Sequence, residues 1–176
     1  DDVEDPQARL IRARVADVTI VSIYVPNGGE LGSDKYLYKQ GWLERFNAYL
    51  RRTCDPAQPL IVCGDLNIAP DDRDVARPEE WADSVLCTAE VRAAFQQMLD
   101  FGLLDCFRRQ HAEAGLYSWW DYRQLGFPKN NGLRIDHILA SKSAADRCTA
   151  SFIDRDERKG KLPSDHAPVV AEFMDT

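Results

Sequence analysis

The chain has 176 residues, 44% of them hydrophobic and 29% charged, with a formal net charge of −7 at pH 7. That length fits a single domain and that balance a globular chain with a sizeable core. No apolar run approaches the roughly 20 residues of a membrane span, and the acidic balance argues against a non-specific nucleic-acid binder held by a basic surface.

The five cysteines, Cys54, Cys63, Cys87, Cys106 and Cys148, are odd in number, widely spaced and never in a C-x-x-C pair. Neither a zinc site nor a disulfide framework is expected, and reduced thiols fit a cytoplasmic protein. The first ten residues are acidic and polar, so no secretory leader is visible there.

Residues 8–15 and 17–25 read as two strands of a hairpin-like pair, the second β-branched and nearly all apolar. Pro26-Asn27-Gly28-Gly29 stops it with turn chemistry. Ser33 caps a helix running to about Thr53, with Leu37, Trp42, Phe46, Tyr49 and Leu50 as an apolar stripe. Leu60 to Gly64 is a short buried strand, with Cys63 a buried thiol inside it. Residues 69–87 look irregular, with one helical turn at Glu79-Glu80-Trp81. Thr88 caps a second helix with Val91, Phe95, Met98 and Leu99 on one face, ended by Gly102. Residues 116–122 are aromatic and strand-like, and 124–132 form a polar loop. Strands follow at 133–140, 148–154 and 167–173. Strands outnumber helices and are apolar enough to be covered, which suggests stacked sheets with helices outside them.

Three acidic sites sit at the edges of these strands. Gly64-Asp65-Leu66-Asn67 ends a greasy strand in Asp-x-Asn, which the strand period would place on one side. Asp65 can polarise a water and Asn67 can donate an amide N–H to a phosphate oxygen; a plain post-strand turn is the competing explanation. Asp136, inside Leu133-Arg134-Ile135-Asp136-His137-Ile138-Leu139, needs a partner. Either it pairs with Arg134, which alternation puts on its face, or it orients a histidine. His137 falls on the opposite face and reads as a packing residue. Asp165-His166 opens the last strand, where a carboxylate beside an imidazole can serve metal and phosphate together; a surface loop is the bland reading. His111 has no such neighbours and is expected to be exposed. The Tyr117–Arg123 run is dense in aromatics, which suit a core or a face that stacks on a base. The charged run 154–161 reads as a solvated loop within reach of a phosphate backbone.

Taken together, Ile23-Tyr24-Val25-Pro26-Asn27-Gly28, Gly64-Asp65-Leu66-Asn67-Ile68-Ala69-Pro70, Tyr117-Ser118-Trp119-Trp120-Asp121-Tyr122-Arg123, Gly132-Leu133-Arg134-Ile135-Asp136-His137 and Pro163-Ser164-Asp165-His166-Ala167-Pro168 resemble the exodeoxyribonuclease III family of apurinic/apyrimidinic (AP) endonucleases, within the endonuclease/exonuclease/phosphatase superfamily. Gly-Asp-x-Asn and Ser-Asp-His belong to the whole superfamily; the other segments point to its DNA-repair branch. The resemblance covers nearly the whole chain. It implies an α/β fold, a four-layer α/β/β/α sandwich, incomplete here at the N-terminus. In the family an Asn and a metal-binding Glu precede the Tyr-Val-Pro-Asn strand. Nothing in residues 1–16 matches them, Glu4 lying in a polar lead-in, so the chain resembles the C-terminal two-thirds of one nuclease domain.

The resemblance also implies roles. Asp65 would deprotonate the attacking water and Asn67 would hold the phosphate. His166, kept in place by Asp136, would stabilise the developing charge, and Tyr24 would contact the phosphate. Asn27, Trp119 and Arg123 would sit on the substrate side. Asp165, with Asp65 and Asn67, would hold Mg²⁺ or Mn²⁺. Glu30 stands where some relatives place a DNA-probing Arg. The expected substrate is double-stranded DNA with abasic sites or 3′ ends, and the expected activity AP endonuclease and 3′→5′ exodeoxyribonuclease. The alternative is a catalytically inactive family member that binds nucleic acid or a partner protein. A phosphatase on a small phosphoester leaves Trp119 and Arg123 unexplained. No membrane partner is expected; self-association or a second chain completing the domain is, with little nuclease activity from residues 1–176 alone.

Overall fold

The computed structural model describes Asp5 and residues 7–175; Glu4 lies outside them. Strands β1 (Leu10–Val15) and β2 (Val18–Tyr24) pair antiparallel through a tight turn in which Ala16 takes a φ of 52°. Helix α1 (Asp34–Thr53) is the crossover to β3 (Leu60–Asp65), which lies parallel to β2. The short α2 (Pro78–Trp81) and α3 (Ala89–Asp100) follow, then β4 (Leu103–Asp105) on the outer edge of β5 (Asp136–Ser141). The sheet order is β1-β2-β3-β5-β4. After the single turn of α4 (Lys142–Ala145), β6 (Cys148–Ile153) and β7 (Val169–Phe173) form a separate antiparallel pair.

Both longer helices begin where a hydroxyl caps them. Ser33 accepts from Tyr36 N and Thr88 from Val91 N, satisfying donors that the first turn leaves without intrahelical partners. The buried face of α1 runs through Tyr36, Lys39, Trp42, Leu43, Phe46, Asn47 and Leu50. Leu37, expected in the stripe, is exposed at 60%, because a 3.6-residue period anchored on Trp42, Phe46 and Leu50 reaches back to Lys39, not Leu37. In α3 the expected Val91, Phe95 and Met98 are buried.

One face of the five-stranded sheet presents Val21, Ile23, Leu60, Val62 and Leu139 to Trp42, Phe46, Leu50, Phe95 and Met98. On the other face Ala140 packs with Cys106 and α4, and Ile61, Ile138 and Cys148, Ala171 and Phe173 of the β6–β7 pair join them half-buried. Helices, wide sheet and narrow sheet are three layers of the α/β/β/α sandwich. Cys63, expected buried, is half-buried between the sheets. Among the described residues no helix is long and apolar enough to cross a membrane.

Residues 116–122 are not a regular strand. Trp119 makes isolated bridges to Leu133 and His166, while Tyr117 and Trp120 turn into a small cluster with Ala167. Strand β5 begins at Asp136 instead of Leu133, because Arg134 N bonds Asp74 O and Ile135 N bonds the Ser118 hydroxyl. The strict alternation expected from Leu133 onward therefore fails at Arg134. Strand β4 and helix α4 are too short for a periodic pattern to announce them. Strand β7 starts at Val169, one residue past Pro168, which has no N–H to give.

Candidate metal and phosphate centre

Sheet register builds the site. Tyr24 of β2 pairs with Asp65 of β3, and Asp65 pairs with Asp136 of β5, so three strands deliver three functional side chains to one row. Gly64 permits this row. Its φ is 134°, and a Cβ there would lie 2.0 Å from the Ile23 carbonyl oxygen, so no other residue fits between β2 and β3.

Asp65 is held by the residue two positions on. Asn67 donates its backbone N–H to Oδ1 (2.8 Å) and its side-chain amide to Oδ2 (3.0 Å). Asn67 adopts a left-handed φ of 49°, a conformation asparagine tolerates better than most residues. Its second amide hydrogen goes to Val25 O (3.0 Å), and its Oδ1 accepts from Asn27 Nδ2 (3.0 Å). Both amide hydrogens are thus engaged, and the geometry assigns Asn67 first to orienting Asp65.

Asp136 reaches the last strand. Its Oδ2 accepts from His166 Nδ1 (2.9 Å) and from the Ser118 hydroxyl (2.7 Å), which leaves Nε2 of His166 for the cleft. Burial opposes the charged imidazole. The hydrogen bond and charge of Asp136, with Asp65 and Asp165 beyond, outweigh burial and raise the His166 pKa above 6.5. Burial, then the neighbouring Asp136, push Asp65 up to about 6. Asp65, Asp136 and His166 each offer one ligand atom within 4.8 Å of the others. Two carboxylates forced together, one resisting ionisation, suit a cation as third partner.

The remaining expected residues converge on the same place. Tyr24, Asn27, Asp65, Asn67, Trp119, Arg123, Asp165 and His166 line one cleft of about 480 Å³, together with Trp81. Asp136 lines an adjoining hollow of about 670 Å³ between the two sheets, shared with Asp65 and His166. Asp165 Oδ2 accepts the Trp119 indole N–H (2.9 Å), so Asp165 stands in the cleft wall beside the three-residue cluster. Trp81 meets the Trp119 ring edge-on at 5.8 Å. Tyr24 is half exposed, under the Arg9 guanidinium. Arg123 forks onto Asp121 at the rim.

Several expected details differ. Arg134 does not pair with Asp136; it is buried between Asp74 (2.7 Å) and Asp105 (2.9 Å) and also donates to His137 Nδ1 (2.9 Å). His137 is the packing residue expected, and its Nε2 donates to Ile68 O (2.9 Å). Burial and Arg134 drive its pKa down to about 4. With Arg108 on Asp74, this buried network ties the loop after β3 to β4 and β5. His111 is part-buried, tilted against the Phe107 ring and bonded to Ser151 O (2.7 Å). In the run 154–161, Arg155 and Arg158 lie over the Trp120 and Phe127 rings, so they brace the aromatic loop and do not sit free in solvent.

Sequence reasoning missed Ser118, Trp81 and Lys39. A lone hydroxyl in an aromatic run and a lysine on the apolar face of α1 were the available signals.

A family model described as the endonuclease/exonuclease/phosphatase family matches residues 2–166. Exodeoxyribonuclease III of Haemophilus influenzae is 38% identical over 98% of this chain and 69% of its own length. An exodeoxyribonuclease of Bacillus subtilis is 31% identical over 94% of this chain and 64% of its own. The structure of an AP endonuclease from Archaeoglobus fulgidus superposes with a TM-score of 0.92 at 37% identity, over 97% of this chain and 68% of that one. The chain therefore spans about two thirds of the length of these relatives.

Proposed function

The chain belongs to the endonuclease/exonuclease/phosphatase family, in its exodeoxyribonuclease III and AP endonuclease branch, and from that premise we propose that it carries the chemistry of a DNA-repair phosphodiesterase. The activity is AP endonuclease and 3′→5′ exodeoxyribonuclease on duplex DNA with abasic sites or 3′ ends. The observation that carries this reading is the row Tyr24–Asp65–Asp136 with His166 bonded to Asp136.

In this reading Asp65, aimed by Asn67, takes a proton from the attacking water as the new phosphorus–oxygen bond forms. The bond to the 3′ oxygen breaks in line, and that oxygen leaves as a hydroxyl protonated by solvent water, while the proton on Asp65 returns to solvent. His166, kept protonated by Asp136, faces the charge that develops on the phosphate. Tyr24 and Asn27 position the phosphate from the β2 side, and Asn67 does so where it exchanges a bond. Trp119 forms the apolar wall for an unstacked sugar or base, and Arg123 holds the flanking backbone. Asp65 and Asp136, with Asp165 alongside, would hold the cation, His166 facing the phosphate beside them; the Asn67 oxygen, expected among the ligands, accepts from Asn27 Nδ2 instead. Mg²⁺ or Mn²⁺, when bound, supplies positive charge at the phosphate oxygens. The oxygen donors suit either ion.

Five unpaired thiols suit a reducing compartment, and so a cytoplasmic location. The β6–β7 pair is a two-stranded sheet, marginal by itself. Further polypeptide, from a second chain or a second copy, covers the hollow between the sheets in this proposal.

The test is a labelled duplex with one abasic site, incubated with the protein and Mg²⁺, Mn²⁺ or chelator. Metal-dependent incision on the 5′ side of the lesion is expected once the further polypeptide that covers the hollow is supplied. Tight binding to the duplex without incision in any metal would favour the catalytically inactive binder.

A further inference from the structure

Lys39 is wholly buried in the α1 face that otherwise supplies the core. A buried ammonium demands a reason, and the usual one is a carboxylate partner. Among the described residues no carboxylate pairs with it. Its three N–H donors go instead to three backbone carbonyls: Asn67 O at 2.6 Å, Val85 O at 2.8 Å and Asn27 O at 3.1 Å. Each carbonyl belongs to a different segment. Asn27 lies in the turn leaving β2, Asn67 in the loop leaving β3, and Val85 in the stretch between α2 and α3. All three residues line the cleft that holds Asp65 and His166.

Packing alone does not require this arrangement. A methionine would fill the same volume, but it would leave three buried carbonyls without a donor. The surrounding residues are shaped around the lysine stem. Gly28 takes a φ of 98°, and a Cβ there would lie 3.0 Å from Lys39 Cδ, so the turn passes over the stem only as glycine. Asn67 sits in a left-handed conformation that disfavours most side chains, and the shortest Lys39 bond lands on its carbonyl. The same Asn67 orients both oxygens of Asp65 and is itself gripped by Asn27, whose carbonyl Lys39 also holds.

We propose that Lys39 is a positioning residue for the hydrolysis described above: its ammonium gathers three cleft loops at one point and fixes the Asn67 backbone that aims Asp65. The proposal rests on that functional reading for its kinetic part only. The Val85 bond ties the segment that follows Trp81 to the same point, so the wall facing Trp119 moves with the catalytic carboxylate.

The experiment compares wild type, Lys39→Met, Lys39→Arg and Leu43→Ala. Leu43 is buried on the same helix one turn on, with no polar contact to the cleft. Two properties are read well below each variant's Tm: hydrogen exchange of the Asn67 side-chain amide by NMR, and kcat and KM for incision of an abasic duplex. Lys39→Met is expected to speed the exchange about tenfold or more and to lower kcat about 10²-fold with KM within about threefold, the scale of a small misplacement of reacting groups. Lys39→Arg keeps the charge, but its planar fork cannot serve three converging carbonyls, so it is expected to move both readouts the same way. Leu43→Ala is expected to lower Tm at least as much and to leave both unchanged.

Unchanged exchange and kcat in either Lys39 variant overturn the proposal, as does the same loss in Leu43→Ala. If Lys39→Met does not fold, Lys39→Arg decides. If wild type incises nothing even with the completing polypeptide supplied, the functional reading has failed, and the exchange measurement still decides whether Lys39 positions Asn67.

Discussion

Acidifying the metal-free protein from pH 6.5 to 4 titrates two buried groups in opposite senses. His137 is neutral when folded, its pKa depressed from 6.5 to about 4 by burial and by Arg134. The geometry agrees: Nδ1 accepts from Arg134 and Nε2 donates to Ile68, so an added proton at Nδ1 would face another N–H. Across this window the unfolded chain binds a proton that the folded chain refuses. His137 therefore contributes stability that is complete above pH 6.5 and lost as pH falls towards 4, about 3 kcal/mol in all. Asp65 runs the other way. Its folded pKa of about 6 lies above the 3.8 of the unfolded side chain, so the folded chain takes up the proton first, and stability rises by about 3 kcal/mol as pH falls from 6 to 3.8. His166, with its pKa raised, titrates above this window, and Asp74, with its pKa lowered, below it. The two terms oppose, so the Tm of wild type should change less between pH 6.5 and 4 than that of a variant lacking either group. The substitution His137→Phe removes one term. That variant should gain about 3 kcal/mol on acidification, or on the order of 10 °C in Tm for a chain of this size, on top of a pH-independent loss from the unpaired Ile68 carbonyl. Asp65→Asn should show the mirror image, losing about as much over the same range. Calorimetry in chelator at several pH values measures all three. Parallel curves for wild type and His137→Phe would refute the reasoning, because His137 would then not be the group excluded from protonation.

In protein that incises abasic duplex, His166→Ala should cost about 10² to 10³ in kcat, as loss of a charge-stabilising donor does, while His137→Phe should leave kcat within a fewfold. Equal losses in steady-state assays, with folding intact, would reverse the assignment of the two histidines. Gly64→Ala should destabilise by more than about 2 kcal/mol, because both φ and the Ile23 carbonyl oppose a Cβ; denaturant unfolding at the wild-type midpoint would contradict the β2–β3 packing. Asp65→Asn should abolish Mn²⁺ binding followed by electron paramagnetic resonance, and retained affinity would move the cation away from the Asp65–Asp136–His166 cluster.

The candidate site was legible because its residues break local rules. An Asp at the end of an apolar strand, an Asp inside another and an Asp-His pair before a third each conflict with packing, and the structure brings them to one cleft and the hollow that adjoins it. Where local patterning alone carried the reading, it failed in identifiable ways. Arg134 looked like a strand neighbour of Asp136, but Asp74, sixty residues upstream, captures it, and no periodicity encodes that pairing. The strand-like aromatics at 116–122 hold one bridge position because their side chains are divided between the cleft wall and a separate cluster. Leu37 lies on the wrong side of α1, where the face is completed by a lysine that no hydrophobic pattern would count. Lys39 and Ser118 were invisible for one shared reason: each matters through atoms of segments distant in sequence, and their own neighbours in sequence say nothing about those.

The row Tyr24–Asp65–Asp136 has a consequence for how the molecule folds. Its members meet only after a parallel pairing across the α1 crossover and an antiparallel pairing between β3 and β5, strands separated by seventy residues of chain. Both are non-local contacts that close late, because long loops must be ordered before they repay anything. A half-formed sheet has neither the paired carboxylates nor the imidazole that Asp136 orients. A divalent ion therefore finds its ligands only in the completed sheet, where it should slow unfolding with little effect on the refolding rate.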